Sequence, residues 1–125
     1  MLTRSAARAR RQNSHRGDVE KRCPPFLQWL RGRKCLLDGK TGHACQGKVR
    51  ACHVDHAGDK GMATKVSDRF AVPMCDGAHD EQHRIGWTSF EARWNLNAIF
   101  CAGELWRHWS GSTVMGAKWR QTHDA

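Results

Sequence analysis

The part of the sequence that decides the fold reads Cys52-His53-Val54-Asp55-His56, then Val72-Pro73-Met74-Cys75, then His79-Asp80-Glu81-Gln82-His83. The last run places two histidines four residues apart, and residues at this spacing share one face of a helix. Both rings can therefore reach a single cation, and a histidine from a neighbouring strand can stand beside it as ligand or base. Taken alone, the helix pair would better fit a solvent-facing surface; together with the strand histidine it predicts a metal site.

The length and composition predict one small domain. The chain has 125 residues, of which 39% are apolar and six are tryptophan, so a modest core can form. No apolar run approaches the length of a membrane span, and the N-terminus has no apolar segment of the secretory type. We therefore expect a cytoplasmic protein without membrane contact. The Arg- and Ser-rich start resembles a transit peptide in composition, but its His and Gly content and lack of amphipathic period favour a basic arm.

The positive charge is concentrated at the N-terminus. Of the formal net charge of +9, residues 1–34 carry +8, from ten Lys/Arg against two acidic residues, and residues 35–125 carry +1. Such an arm binds polyanions, most often nucleic acid, by neutralising phosphates, although it can also serve solubility alone. We expect DNA as the partner; the candidate contacts are Arg8, Arg10, Arg11, Lys60 and Lys65.

The six cysteines point away from a disulfide framework, because the chain shows no secretory signal. No Cys-x-x-Cys pair is present, and Asp38 stands in the turn after Cys35 where a second cysteine would be expected. Cys35, Cys45 and Cys75 can form part of a structural zinc site, but their spacing favours ordinary packing thiols. His43, outside the histidine motif, is predicted to lie on the surface.

Turn and cap residues divide the chain into an α+β domain with flexible ends. We predict a disordered basic arm over 1–22, a folded domain over 23–110 and a flexible tail over 111–125. Within the domain, a helix opened by Pro24 and Pro25 ends at Gly32, and strands follow over 49–54 and 70–74. A helix from 77 to 85 is predicted to be capped by Asp76 and stopped by Gly86. Two further helices begin at a Thr88-Ser89-Phe90-Glu91 capping box and at Asn97.

The runs at 51–61, 65–75 and 79–83 resemble HNH endonucleases, most closely the small phage and prophage HNH-type proteins related to a phage recombination-promoting nuclease. The resemblance covers residues 24–110. It implies a ββα-metal core, also called a His-Me finger, with flanking helices. It also implies a DNA endonuclease acting in phage recombination or DNA processing within the bacterial host cell. The alternative is a catalytically silent metal finger that binds nucleic acid or a partner; the oligomeric state stays open.

The family's chemistry, carried onto this chain, needs a histidine base and one divalent cation: Mg²⁺, Mn²⁺, Ni²⁺ or Zn²⁺. His79 and His83 take the ligand positions. In one register His53 is the base; in the other His56 is the base and Asp55 a metal ligand. The spacing does not decide between them, but the surrounding sequence favours His53. The family's middle Asn has no clear counterpart, although Asp68 and Arg69 lie near its place, and Ala78 replaces a common zinc ligand.

Overall fold

The computed structural model describes residues 22–55 and 66–123. This part of the chain is α+β, as predicted, with a two-stranded antiparallel sheet and four helices. A single 3-10 turn, Asp68–Phe70, precedes the second strand. Within these two ranges, no helix combines the length and apolar character that crossing a membrane would need. The elements are α1 Pro24–Arg31, β1 Val49–His53, β2 Ala71–Cys75, α2 Asp76–Trp94, α3 Ala98–Ser112 and α4 Val114–His123.

The two strands form a hairpin that leads directly into α2. Val49 pairs with Cys75 and His53 with Ala71, so the histidine lies at the far end of the ladder from the helix start. Pro73 sits in mid-strand, which is possible because each strand of a two-stranded sheet keeps one free edge. Its carbonyl accepts a hydrogen bond from the Leu36 N–H at 3.0 Å. All five residues of β2 are buried, which makes this strand the centre of the domain.

The core consists of two clusters of buried side chains. The first lies against the sheet and α2, and its largest members are Trp87, Phe90 and Trp94. The second joins Phe26 and Leu30 of α1 to Trp109 of α3. Trp29 and Trp106 are half-buried against the second cluster.

The predicted ends of α1 and the predicted start of α3 are confirmed. Pro24 is the first residue of α1 and Gly32 caps its end. The Asn97 side chain accepts a hydrogen bond from the Phe100 N–H at 3.0 Å at the start of α3. Cap residues of this kind act through local hydrogen bonds, so the local sequence is enough to find them.

The cap of α2 differs from the prediction. Cys75, not Asp76, is the N-cap, and its Sγ accepts a hydrogen bond from the Ala78 N–H at 3.4 Å. Asp76 is the first helical residue, where its carboxylate accepts hydrogen bonds from the Arg50 side chain and the Lys48 N–H. These partners lie on β1 and just before it, so the tertiary contact overrides the local preference for a cap.

The predicted break at Gly86 is a kink rather than the end of a helix. Gly86 has φ 83° and ψ 160°, and helical structure resumes at once at Trp87. The Glu91 carboxylate, predicted to belong to a capping box, accepts a hydrogen bond from the Ala98 N–H at 2.7 Å. Glu91 therefore links the second half of α2 to the first residue of α3.

The structure after residue 110 is helical, in place of the flexible tail that the Gly and Ser content indicated. Thr113 joins α3 to α4, its hydroxyl donating to the Trp109 carbonyl at 2.6 Å. Gly116 packs so closely on that turn that an added Cβ would lie 1.9 Å from the same carbonyl oxygen. Trp119 packs against the second cluster. The predicted basic arm lies outside the described residues, apart from residue 22.

Candidate functional site

A cavity of about 270 Å³ lies between the end of the hairpin and the first half of α2. It brings together four residues that the sequence singled out: His53, Asp55, His79 and His83. The other predicted base, His56, and the predicted DNA contacts Arg8, Arg10, Arg11, Lys60 and Lys65 lie outside the described residues. The remaining lining residues are Ala51, Cys52, Gln82 and Trp87.

His79 and His83 present their rings to each other on one face of α2. Their Nε2 atoms lie 2.8 Å apart. Two nitrogens held at about 2.1 Å from one cation, at right angles, would be about 3.0 Å apart, so the pair is close to a ligating arrangement. Partial burial and the neighbouring His83 lower the pKa of His79, which favours the neutral imidazole that binds metals. This pair can hold a divalent cation.

His53 is oriented by a buried carboxylate. Its Nε2 lies 2.8 Å from Oδ1 of Asp68, whose side chain is 12% exposed. The other oxygen of Asp68 accepts a hydrogen bond from the Cys23 N–H at 2.7 Å. Burial alone would raise the pKa of Asp68, but the hydrogen bonds from His53 and Cys23 hold it below its ordinary value. An ionised Asp68 keeps the proton on Nε2 of His53 and leaves Nδ1 as the acceptor.

A second group of potential ligands lies at the end of β2, where Cys75 is the last residue of the strand. The ligand atoms of Cys35, His43, Cys45 and Cys75 all lie within 4.8 Å of one another, so the cluster can bind a metal ion such as zinc. The sequence favoured ordinary packing thiols here, but the structure instead shows a Cys/His cluster whose distances suit a metal ion. His43, predicted to lie on the surface, is half-buried instead. Its Nε2 lies 3.6 Å from the Cys75 Sγ, near the separation of about 3.5 Å expected on a tetrahedral zinc.

Backbone amides support the sulfurs of this cluster. The Leu37 N–H donates to the Cys35 Sγ at 3.4 Å, in the turn that resembled a zinc knuckle. Burial raises the pKa of Cys35 and, together with the neighbouring thiols, raises the pKa of Cys45 to about 12. For Cys75, the amides of Ala78 and Gln46 outweigh burial and lower the pKa. The lowered pKa favours the thiolate of Cys75, whereas the raised pKa values disfavour ionisation of Cys35 and Cys45. A divalent cation would offset the repulsion between the thiolates and so favour ionisation of all three thiols.

The loop that carries Cys45 is held against the start of α2. The Gly77 N–H donates to the Gln46 carbonyl at 3.1 Å, and the Lys48 N–H donates to Asp76 at 3.1 Å. Gly47 is required at this contact, because its φ is 78° and an added Cβ would lie 2.3 Å from the Asp76 carboxylate. The metal-ligand cluster and the histidine pair of α2 are therefore joined through one short junction.

The sequence is similar to one known protein family. A family model described as "Protein of unknown function (DUF968)" matches residues 16–102, more than half of the chain. The chain belongs to this family. The DUF968 match includes every residue of the cavity and all four residues of the Cys/His cluster. No curated protein and no solved structure matches the sequence.

Proposed function

We propose that this DUF968 protein is a metal-dependent DNA endonuclease of the HNH type, built on a ββα-metal core. The observation that carries the proposal is that His53 of β1 and the pair His79 and His83 of α2 line one cavity. The element order β1, β2, α2 is the order of that core. The resemblance of the same segments to HNH endonucleases supplies the reaction, hydrolysis of a phosphodiester bond.

In this proposal His53 is the general base. Asp68 holds the ring through Nε2, and Nδ1 takes a proton from the water that attacks phosphorus. The side chain of His53 is 39% exposed, so water and substrate can reach it. The presence of His53 in the cavity supports this residue as the base, in agreement with the register that the sequence favours.

His79 and His83 would hold the divalent cation, with Asp55 lining the same cavity as a further candidate ligand. Such a cation, when bound, stabilises negative charge on the phosphate and on the leaving oxygen. Two imidazoles suit Mn²⁺, Ni²⁺ or Zn²⁺ better than Mg²⁺. The lowered pKa of His79 keeps this ligand neutral near pH 7.

The Cys35, His43, Cys45 and Cys75 cluster is proposed as a structural zinc site. Three sulfurs and one imidazole are a common donor set for structural zinc. Since Cys75 is also the N-cap of α2, a zinc ion here would fix the start of the helix that carries His79 and His83. The zinc would thus act on the position of the cavity residues, not on the reaction.

The proposed substrate is DNA inside a bacterial cell, in phage recombination or DNA processing. The net charge of +8 on residues 1–34 supports a role for the N-terminal arm in binding phosphates. Lys60 and Lys65, which follow β1 in sequence, are proposed as further phosphate contacts.

A second candidate function is a catalytically silent metal finger that binds nucleic acid or a partner. The observation in its favour is the Cys/His cluster, whose four ligands would complete a structural site without any open position for chemistry. Nicking of supercoiled plasmid separates the two functions. We expect nicking with Mn²⁺ that is lost in EDTA and restored by excess Mn²⁺. DNA binding without nicking under any cation would support the silent finger.

A further inference from the structure

Gln82 lines the proposed catalytic cavity with a side chain that has no hydrogen-bond partner among the residues that the structure describes. The residue is 8% exposed and lies on α2 between the two histidines of the pair. Its amide makes no hydrogen bond to any residue in the two described ranges. Among these residues, no side-chain nitrogen or oxygen is both fully enclosed and unpartnered. The amide must therefore open onto the cavity.

An unpartnered amide at this place is unfavourable for the protein alone. Buried polar groups are hydrogen-bonded in the great majority of cases, and a missing partner weakens the fold. The other side chains that line the cavity are three apolar ones, of Ala51, Cys52 and Trp87, and four polar ones, of His53, Asp55, His79 and His83. Because the amide bonds to none of these polar groups, it is best explained by a ligand.

We infer that Gln82 is a substrate-binding residue whose Nε2–H donates a hydrogen bond to a non-bridging oxygen of the scissile phosphodiester. This inference rests on the proposed nuclease function and extends it to a residue outside the histidine motif. The other polar groups of the cavity already have proposed roles: His53 is the base, and the histidine pair and Asp55 are candidate ligands of the cation. Gln82 is left as the neutral donor beside them, and its amide neither repels the phosphate nor competes with the cation.

Two substitutions at Gln82 and one control test this role. Gln82→Met removes the donor at similar volume, and Gln82→Glu replaces the amide by a carboxylate that repels phosphate. Gln28→Met is the matched control, because Gln28 is exposed on α1 and bonds only to Arg31. For each protein we would measure the melting temperature, Mn²⁺ affinity by calorimetry, and kcat and KM for plasmid nicking.

We expect Gln82→Met to keep or raise the melting temperature and to keep Mn²⁺ affinity, while kcat/KM falls roughly 100- to 1000-fold, the range for loss of one positioned donor to a developing charge. The kcat/KM of Gln82→Glu should fall further, and the kcat/KM of Gln28→Met should match that of the wild type. Wild-type kcat/KM in Gln82→Met would overturn the inference. So would a lower melting temperature, which means a structural role, or weakened Mn²⁺ binding, which means a cation ligand. Absence of nicking by the wild type would instead defeat the nuclease proposal, and this inference with it.

Discussion

Asp68 accepts hydrogen bonds from two distant parts of the chain, the His53 ring and the Cys23 N–H just before α1. The sequence separations are 15 and 45 residues, so no local pattern could reveal both contacts. One carboxylate thus fixes the orientation of the proposed base and the docking of the first helix. This dual role makes Asp68 the residue whose replacement should affect both activity and stability.

Replacing Asp68 with Asn should lower plasmid nicking about 10- to 100-fold, the usual effect of removing a group that orients a catalytic side chain. It should also remove a pH-dependent part of stability. Because the pKa of Asp68 lies below its ordinary value of 3.8, the carboxylate stabilises the fold above that pH, and the stabilisation disappears as the pH falls through the folded-state pKa.

Urea unfolding at about pH 6 and about pH 3 measures this effect. At the higher pH the free energy of unfolding of the wild type should exceed that of Asp68→Asn by roughly 1.5 to 3 kcal/mol, as for a hydrogen bond to a charged group. The difference should shrink at the lower pH. An equal difference at both values would mean that the charge on Asp68 contributes nothing to the fold.

At the scale of elements, the junction between β2 and α2 links the two candidate metal sites. Cys75 ends the strand, caps the helix and belongs to the Cys/His cluster, and His79 follows one turn later. The loop of Cys45 is held to the same junction through Asp76 and Gly77. Metal binding in the Cys/His cluster should therefore fix the first turn of α2 and, through it, the position of His79 in the cavity.

Cys45→Ser tests the cluster with little effect on the apolar core, because Cys45 is exposed. The purified wild type should contain about one zinc ion per chain, and the variant should lose it and melt at a lower temperature. Cys101→Ser is the control, since Cys101 lies on α3 outside the cluster. Metal analysis by mass spectrometry measures the zinc content of each protein. Zinc content unchanged by Cys45→Ser would exclude this cysteine as a ligand.

The kink of α2 at Gly86 gives a second prediction at this scale. Its φ of 83° and ψ of 160° lie in a region that only glycine occupies readily, and the position has open space around it. Gly86→Ala should therefore destabilise the protein by about 1 to 3 kcal/mol through backbone strain alone. Gly103→Ala, in open space on α3, should stabilise by up to about 1 kcal/mol. If denaturant unfolding showed the same change in the free energy of unfolding for Gly86→Ala and Gly103→Ala, backbone strain at Gly86 would be excluded.

For the molecule as a whole, local patterns in the sequence predicted most of the elements. The i, i+4 spacing placed His79 and His83 on one face, and Asn97 marked the start of α3, because both signals act within a few residues. Contacts between distant segments escaped this reasoning. His43 reaches Cys75 across 32 residues, and its only local sign is the His-x-Cys spacing to Cys45 in a glycine-containing loop.

The end of the chain shows the same limit. Residues 114–123 contain Gly116 and few regularly spaced apolar residues, so this segment carries no clear helical pattern. The helix forms because Gly116 allows α4 to pack tightly on the end of α3 and because Trp119 reaches the second core cluster. Tertiary packing, and not local propensity, decides this element.

The N-terminal arm should contribute DNA affinity without contributing chemistry. Each phosphate contact adds roughly 0.9 to the slope of log affinity against log salt on duplex DNA. Deletion of residues 1–18 should therefore weaken binding and flatten this slope, while nicking at saturating DNA stays near the wild-type rate. Binding curves over a salt series, for full-length and truncated protein, give the comparison. Identical slopes would show that the arm does not touch the phosphates.

The most direct test of the central claim is plasmid nicking by His53→Ala in the presence of Mn²⁺. Loss of a general base lowers rates by about 10² to 10⁴, so the variant should be nearly inactive while it still folds and binds DNA. Added imidazole should restore part of the activity by supplying the missing base. His108→Ala, an exposed histidine on α3 away from the cavity, should nick like the wild type. Full activity of His53→Ala would contradict the assignment of this histidine and its cavity to catalysis.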